Sequence, residues 1–243
     1  MPKYAVIMPA AGSSERFGGG EKKPFAKLDG RPVFLKTLEA FINREDVCQT
    51  LLVVAKEDAE RVRTSYGANL AFMNVRLVEG GARRRDSVAN ALREVREDAE
   101  YVAVHDAVRP CVTQEMIDAV FAEAVKSGAA ILACPVAATL KRASGAGVVE
   151  ETVPRDALYE AQTPQVFRKD LFLDAYSRLA ADAPVTDDAQ VVERAGHAVR
   201  LVASDASNLK ITVRADLPLA SAILKSRPAK AVRKMGAFEE AQW

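Results

Sequence analysis

Residues 4–18 read Tyr4-Ala5-Val6-Ile7-Met8-Pro9-Ala10-Ala11-Gly12-Ser13-Ser14-Glu15-Arg16-Phe17-Gly18. Six residues with no charge run into small residues, and a cation follows. That is a buried strand opening into a Gly/Ser-rich loop, residues 12–20. A strand apolar on both faces must be covered on both faces, which points to a parallel sheet between two helical layers. The same alternation continues outward. Apolar strands are predicted at 49–55, 75–78, 101–105, 129–136 and 198–203. Helices fall between them. One opens at Pro32 with Leu35, Leu38, Phe41 and Ile42 on one face, and a charged one runs to about Tyr66. Another covers 86–96 with Val88, Ala91, Leu92 and Val95 inward. A fourth is capped by Thr113 and ended after Ser127 by Gly128. Further helices are expected at 169–179, after a Thr186 cap, and from Arg214. The fold class is therefore α/β, a doubly wound and mostly parallel sheet. Such sheets bind ligands at the carboxyl ends of their strands, where the loops after Pro9, Val78 and His105 lie.

The rhythm breaks at 137–154. Segments 139–142 and 147–153 flank Ser144-Gly145-Ala146, the pattern of a β-hairpin. A hairpin projecting alone is marginally stable, so it is expected to pack on a second subunit. One domain is expected over 1–225, including this arm at 137–154 for dimerisation. The tail, 226–243, is basic and then acidic with little periodicity, and is expected to be mobile or loosely packed, with the single tryptophan, Trp243, as its one candidate anchor.

The 243 residues carry 34 basic and 33 acidic side chains. A net charge of +1 supplies no general field for nucleic acid or a membrane surface, so an anionic ligand must be held by local clusters. Lys22-Lys23 and Arg83-Arg84-Arg85 are the two candidates. Cys48, Cys111 and Cys134 fit neither a zinc site nor a disulfide framework, which suits a reducing cytoplasm. Met1-Pro2-Lys3-Tyr4 runs straight into a strand, so no signal peptide is expected. The longest apolar run, around 129–140, is well short of the ~20 residues of a membrane-spanning helix.

Three stretches carry chemistry. In the first, Pro9-Ala10-Ala11-Gly12 lets the backbone approach a ligand, amides of the loop can cradle phosphate, and Arg16 and Lys23 add positive charge. A dinucleotide fingerprint would need glycine where Ser14 and Phe17 stand, and no glycine has the spacing of a P-loop. The second stretch is Gly80-Gly81-Ala82-Arg83-Arg84-Arg85-Asp86-Ser87, where Ser87 could donate to a base or a phosphate. The third is His105-Asp106-Ala107-Val108-Arg109-Pro110. Asp106, at the end of a buried strand, suits Mg²⁺ beside phosphates, and Arg109 suits an anionic substrate. His105 reads as structural, and His197 as surface or strand edge. The first two stretches, each taken alone, read equally well as a solvated Gly-rich turn and a basic loop with a helix cap, and the bland reading of the third is Asp106 capping the following turn.

Together they resemble the 2-C-methyl-D-erythritol 4-phosphate cytidylyltransferases of the non-mevalonate isoprenoid pathway, from about Tyr4 to Lys225. The resemblance takes in Pro9-Ala10-Ala11-Gly12 with Arg16 and Lys23, Gly80-Gly81 with Arg84 and Asp86-Ser87-Val88, and His105-Asp106-Ala107 with Arg109-Pro110. It continues through Pro135-Val136, Thr139, Lys141, Arg155, Ala161-Gln162-Thr163-Pro164-Gln165, Phe167, Thr186-Asp187 and Asn208-Leu209-Lys210-Ile211-Thr212. It implies a Rossmann-like nucleotidyltransferase with a projecting arm, a homodimer, and use of Mg²⁺ or another divalent cation. By position, Arg16 and Lys23 would stabilise the transition state at the α-phosphate, and Arg155 and Lys210 would position the attacking phosphate. Ala10, Ala11, Gly12, Gly80, Gly81, Arg84, Asp86, Ser87 and Ala107 would bind CTP. Asp106, Arg109, Thr139, Thr163 and Thr186 would bind the methylerythritol phosphate, with Asp106 also near the metal. Arg155 and Thr139 would act in the neighbouring subunit's site. The sequence departs from the family's pattern at Ala82, where some members carry an acid, at Pro24, where glutamine is common, and at Ser14, a frequent glycine.

An acceptor phosphate is already ionised at neutral pH and needs no strong base, which suits a chain with two histidines. The work is positioning and charge neutralisation. A cytidylyltransferase for another polyol phosphate, such as ribitol 5-phosphate, is the nearest alternative reading. A nucleotide sensor without turnover is an alternative of another class. Retention of Arg16, Lys23, Asp106 and Lys210 together argues against it, and the failed glycine spacing argues against a dinucleotide oxidoreductase.

Overall fold

β1, Tyr4–Pro9, is an interior strand of a seven-stranded sheet in the computed structural model, which describes residues 1–227 except 19 and 181. The predicted tail therefore lies outside the described residues beyond Arg227. β2 (Lys27–Leu28) and β3 (Arg31–Pro32) form a small hairpin leading into α1 (Val33–Leu38), with Pro32 as its N-cap. β4 (Val47–Val54), α2 (Lys56–Phe72), β5 (Val75–Glu79), α3 (Arg84–Leu92) and β6 (Tyr101–Val104) follow. Then come α4 (Gln114–Ser127), β7 (Ala129–Pro135), β8 (Leu140–Ala143), β9 (Val149–Val153) and β10 (Tyr159–Arg168). α5 (Lys169–Arg178), α6 (Asp188–Arg194), β11 (Arg200–Ala203) and α7 (Asp216–Ser226) complete the chain.

The large sheet has the order β11-β7-β10-β6-β1-β4-β5. All its pairings are parallel except those of β10, which runs antiparallel between β6 and β7. The period-2 alternation of a strand sorts β1 between two cores. Val6 and Met8 point to the layer that holds Phe34, Val62 and Ile117 of α1, α2 and α4. Ile7 points to the layer holding Val88, Phe172 and Val192 of α3, α5 and α6. Phe167 and Phe172 stack at 4.5 Å between centroids in the second layer. Truncating either fully buried ring to alanine would cost about 3–5 kcal/mol. A third cluster, Phe17, Leu28, Val33, Val108 and Ile211 with α7, anchors the first loop from outside.

Helix ends follow local chemistry. Thr113 caps α4 by accepting from the Met116 amide, and Gly128 ends it at φ 84°, a conformation few other residues adopt. The Thr186 cap needs correction. The Asp187 carboxylate accepts from Gln190 N, so it caps α6 one residue later. α2 runs six residues past the expected end, α3 stops at Leu92, and α7 begins at Asp216.

The hairpin is present. β8 and β9 pair antiparallel, apart from the main sheet, and expose Val148 and Val149.

Candidate active site

The carboxyl ends of β1, β4, β5 and β6 open into one cleft of about 800 Å³. Ala10, Ala11, Gly12, Ser13, Ser14, Lys23 and Pro24 form one wall, and Gly80, Gly81, Arg83, Arg84 and Ser87 form the opposite wall. Asp106, Val108 and Lys210 close the floor. The sheet order explains this meeting: β6, β1, β4 and β5 are consecutive neighbours, so the loops leaving them are adjacent.

The first loop is tied at several points. Ala10 N donates to Val53 O at 2.7 Å. Ser14 takes the left-handed conformation at φ 62° that a glycine would adopt without strain. Its hydroxyl accepts from Lys23 N at 3.0 Å, which fixes the backbone from which Lys23 reaches the cleft. Ser14 thus holds a backbone conformation open to glycine and adds a side-chain anchor. Burial lowers the Lys23 pKa, and the nearby charges of Lys210 and Arg16 lower it further. Arg16 itself stands exposed in a short 3₁₀ turn, Glu15–Phe17, at the loop's outer end, and does not line the cleft.

The second wall is a glycine-rich turn held by Ser87. Its hydroxyl accepts from Gly81 N at 3.1 Å and donates to Arg83 O at 3.2 Å. A Cβ on Gly81 would meet the Asp86 Cβ at 2.5 Å, so the turn closes only around glycine. The Asp86 carboxylate is engaged by Arg83, through the backbone amide at 3.1 Å and the guanidinium at 2.9 Å, and does not line the cleft. The two basic clusters therefore divide. Lys22 pairs with Glu57 and Asp58, and Arg85 donates to the carbonyls of Ala180 and Ala183. Lys23 and Arg84 face the ligand space.

Asp106 is the electrostatic centre of the floor. Lys210 Nζ lies 2.8 Å from its Oδ2, Arg109 Nε 3.5 Å from Oδ2, and Arg84 3.7 Å from Oδ1. Burial raises the carboxyl pKa, but Lys210, Arg84 and Arg109 outweigh it and hold it well below the usual range. Arg109 is buried and donates to Asn208 O at 2.7 Å, so it stands behind Asp106 rather than in the open cleft. Thr163 is buried as well. Donor logic fixes the chain around it. His105 Nε2 faces the Arg109 carbonyl, which can only accept, so Nε2 carries the proton and Nδ1 accepts from Thr163. The Thr163 oxygen in turn accepts from Asp106 N at 3.1 Å. His105 is structural, as its sequence position suggested, and it braces the Asp106 loop. Ala107 does the same through its backbone: its amide reaches Pro9 O, and its carbonyl accepts from Thr37.

The remaining expected residues lie apart from this cleft. Thr139 is exposed at the base of the arm, Thr186 is exposed before α6, and exposed Arg155 donates to Ala137 O. Two features escaped the sequence reading. One is β10, whose sequence is broken by Gln162, Thr163, Pro164 and Gln165 yet is buried from Gln162 to Phe167. The other is the polar set it carries. Gln162 Oε1 accepts from Asn208 and Ser204, and Gln165 Oε1 accepts the backbone amides of Asp188 and Ala189. Their presence in the motif around Thr163 was the one available signal.

Among the described residues no three His, Cys, Asp or Glu side chains gather as a metal cage. Asp106 instead offers a single carboxylate, ionised far below neutral pH, on the floor of the cleft. That donor set fits Mg²⁺, which is commonly held by one or two carboxylates plus substrate phosphates.

Glycine-rich backbone opposite fixed cations, at the strand ends of a doubly wound sheet, suits a triphosphate and a second phosphorylated molecule. Fold and site together define a nucleotidyltransferase. Within that class, the chain belongs to the 2-C-methyl-D-erythritol 4-phosphate cytidylyltransferase family, whose model matches residues 4–226. A relative of that name from Rhodopirellula baltica is 47% identical over 231 residues, covering 90% of this chain and 94% of its own length. Another from Dechloromonas aromatica is 42% identical, covering 93% of this chain and all of its own. Among solved structures, the enzyme of that name from Thermus thermophilus superposes with a TM-score of 0.77 at 32% identity, over 92% of this chain and 99% of that one. The 4-diphosphocytidyl-2C-methyl-D-erythritol synthase from Anaerococcus prevotii gives 0.78 at 30% identity, over 92% and 96%.

Proposed function

We propose that this chain transfers the cytidylyl group of CTP to 2-C-methyl-D-erythritol 4-phosphate, giving 4-diphosphocytidyl-2-C-methyl-D-erythritol and pyrophosphate, in non-mevalonate isoprenoid precursor synthesis. The observation that carries the reading is the convergence of Lys23, Arg84 and Lys210 on one cleft beside Asp106. An oxygen of the acceptor phosphate attacks the α-phosphorus, a new P–O bond forms, and the bond to the β-phosphate breaks. Both partners are anions, so the barrier is largely their repulsion. Lys23 neutralises charge developing at the α-phosphate, and Arg16, outside the cleft lining but close enough to act on Lys23, adds positive charge from the loop's outer end. Lys210 guides the incoming phosphate, and the turn at Gly80-Gly81 gives the base and ribose close backbone contact. Asp106 would hold Mg²⁺ or another divalent cation, which would supply charge neutralisation for the departing pyrophosphate.

We assign residues 1–225 to one domain that works as a homodimer in the cytoplasm. No described helix is long and apolar enough to cross a membrane. The arm at 137–154 embraces the second subunit. Support comes from exposed Val148, Val149 and Tyr159 around it, and from Thr139 and Arg155 lying outside their own chain's cleft. Asp106 and Thr186 complete the acceptor side, with Arg109 and Thr163 behind them.

The test is Mg²⁺-dependent pyrophosphate release from CTP, UTP and ATP with methylerythritol phosphate and ribitol 5-phosphate as acceptors. The reading expects CTP with methylerythritol phosphate to be preferred. Preference for ribitol 5-phosphate would reassign the acceptor. CTP binding with no release from any acceptor would make the chain a sensor.

A further inference from the structure

Asp188 is the first residue of α6 and is completely buried. Three elements hold it. Its backbone amide donates to Gln165 Oε1 of β10 at 3.0 Å, and its Oδ1 accepts from the Tyr176 hydroxyl of α5 at 2.8 Å. Its Oδ2 lies 2.7 Å from Arg84 NH2, at the first residue of α3. Arg84 lines the cleft and comes within 3.7 Å of Asp106 on the other side. Burying a carboxylate is costly, and a buried ion pair is weak grounds for stability. What this pair does geometrically is tie the glycine-turn wall of the cleft to the buried start of α6. Arg84 follows the glycine turn of the nucleotide side, and Asp188 follows Thr186 on the acceptor side.

We propose that Asp188 is a positioning residue that holds Arg84 toward the start of α6 and keeps its guanidinium from closing onto Asp106. The proposal rests on the function given above and extends it to this buried carboxylate. Asp106 already has Lys210 at 2.8 Å and Arg109 at 3.5 Å. Without the Asp188 charge, Asp106 is the anion left within reach of Arg84. A closed Arg84–Asp106 pair takes Asp106 from the acceptor polyol. It leaves the glycine turn that receives the nucleotide unchanged.

Asp188→Asn tests this, because the amide oxygen still accepts from Tyr176 while the charge that holds Arg84 is gone. The acceptor KM should rise roughly tenfold, the scale of coupling between residues in direct contact, and clearly more than CTP affinity falls. In an Arg84→Gln background the same substitution should add almost nothing. A folded Asp188→Asn enzyme with an unchanged acceptor KM, or losses that multiply in the double variant, overturns the proposal. Tyr176→Phe is the second arm if Asp188→Asn does not fold. It removes the hydroxyl that orients the carboxylate, and an acceptor KM unchanged by it also overturns the proposal. A purely structural role would lower the melting temperature without selecting the acceptor. Wild-type protein that releases no pyrophosphate defeats the functional reading itself, and this proposal with it.

Discussion

Lys210 and Asp106 form a 2.8 Å ion pair on the floor of the cleft, joining the loop after β6 to the segment before α7. Asp106 is nearly buried, whereas the Lys210 side chain is 42% exposed, so the pair presents an ammonium to the ligand space and keeps its counter-charge behind. Removing the carboxylate should therefore separate binding from turnover. Asp106→Asn takes a negative charge from beneath a polyanionic ligand, and in chelator, without the divalent cation, CTP should bind at least as tightly. The acceptor loses its partner and Lys210 its anchor, and kcat should fall about 10²–10³-fold, the cost typical of losing one placed electrostatic group. Calorimetric titration and steady-state kinetics read the two effects. A variant with near-normal kcat would remove Asp106 from the chemistry.

The charge arrangement around Lys23 makes a prediction about protons. Burial, then Lys210 and Arg16, lower the Lys23 pKa in the free protein, so its ammonium begins to deprotonate at a lower pH than an ordinary lysine. A bound triphosphate favours the charged form and raises that pKa again. Nucleotide binding at alkaline pH should take up protons, and near neutrality it should not. Titrations in two buffers of different ionisation enthalpy at about pH 9–10, approaching the ordinary lysine range, measure the uptake, and Lys23→Met should abolish it. Uptake that survives in Lys23→Met would assign the proton elsewhere. The same variant should lose about 10²–10³-fold in kcat if Lys23 acts at the α-phosphate.

How far the sequence carried the reading depended on burial pattern. β1 and β7 are apolar along almost their whole length, so their parallel, doubly covered setting was legible from residues 4–9 and 129–136. β10 was not, because its buried positions include Gln162, Thr163 and Gln165, whose side chains are satisfied by residues far away in sequence. Lys23, Asp106 and Lys210, which line the cleft, were legible as candidates because motif and charge coincide there. Asp188 was not, since a carboxylate at a helix start looks the same whether it caps or grips an arginine. Arg83, Arg84 and Arg85 form one basic run in the sequence, and only packing separates the arginine that pairs with Asp86 from the one that reaches Asp106.

His105 sets a pH limit on folding. Burial pushes its pKa down to about 4, against an ordinary value of 6.5. Above pH 6.5 both folded and unfolded chains carry it neutral, and it contributes no pH dependence. Between 6.5 and 4 the unfolded chain binds the proton and the folded chain does not, so stability falls as the pH falls. The shift corresponds to about 3 kcal/mol lost across that window. Urea unfolding of ligand-free protein in chelator should show this slope, and His105→Asn, though less stable near neutral pH, should lack it. Parallel curves for the two proteins would mean that the ring is protonated in place.

Arg155 tests the shared site. It is exposed, donates to the Ala137 carbonyl at the base of the arm, and does not line its own chain's cleft. If it completes the neighbour's acceptor site, Arg155→Ala should raise the acceptor KM with little change in CTP affinity. Mixed dimers give the sharper reading. An Arg155→Ala chain paired with an Asp106→Asn chain contains one cleft with both defects and one with neither. At an acceptor concentration well below the raised KM, where both parents are nearly inactive, random mixing should therefore yield roughly a quarter of wild-type activity, since half the dimers are mixed and each has one intact site of two. Recovery should follow subunit exchange and vanish when the parents are kept apart. Failure of well-exchanged dimers to recover any activity would confine Arg155 and Asp106 to the same subunit's chemistry.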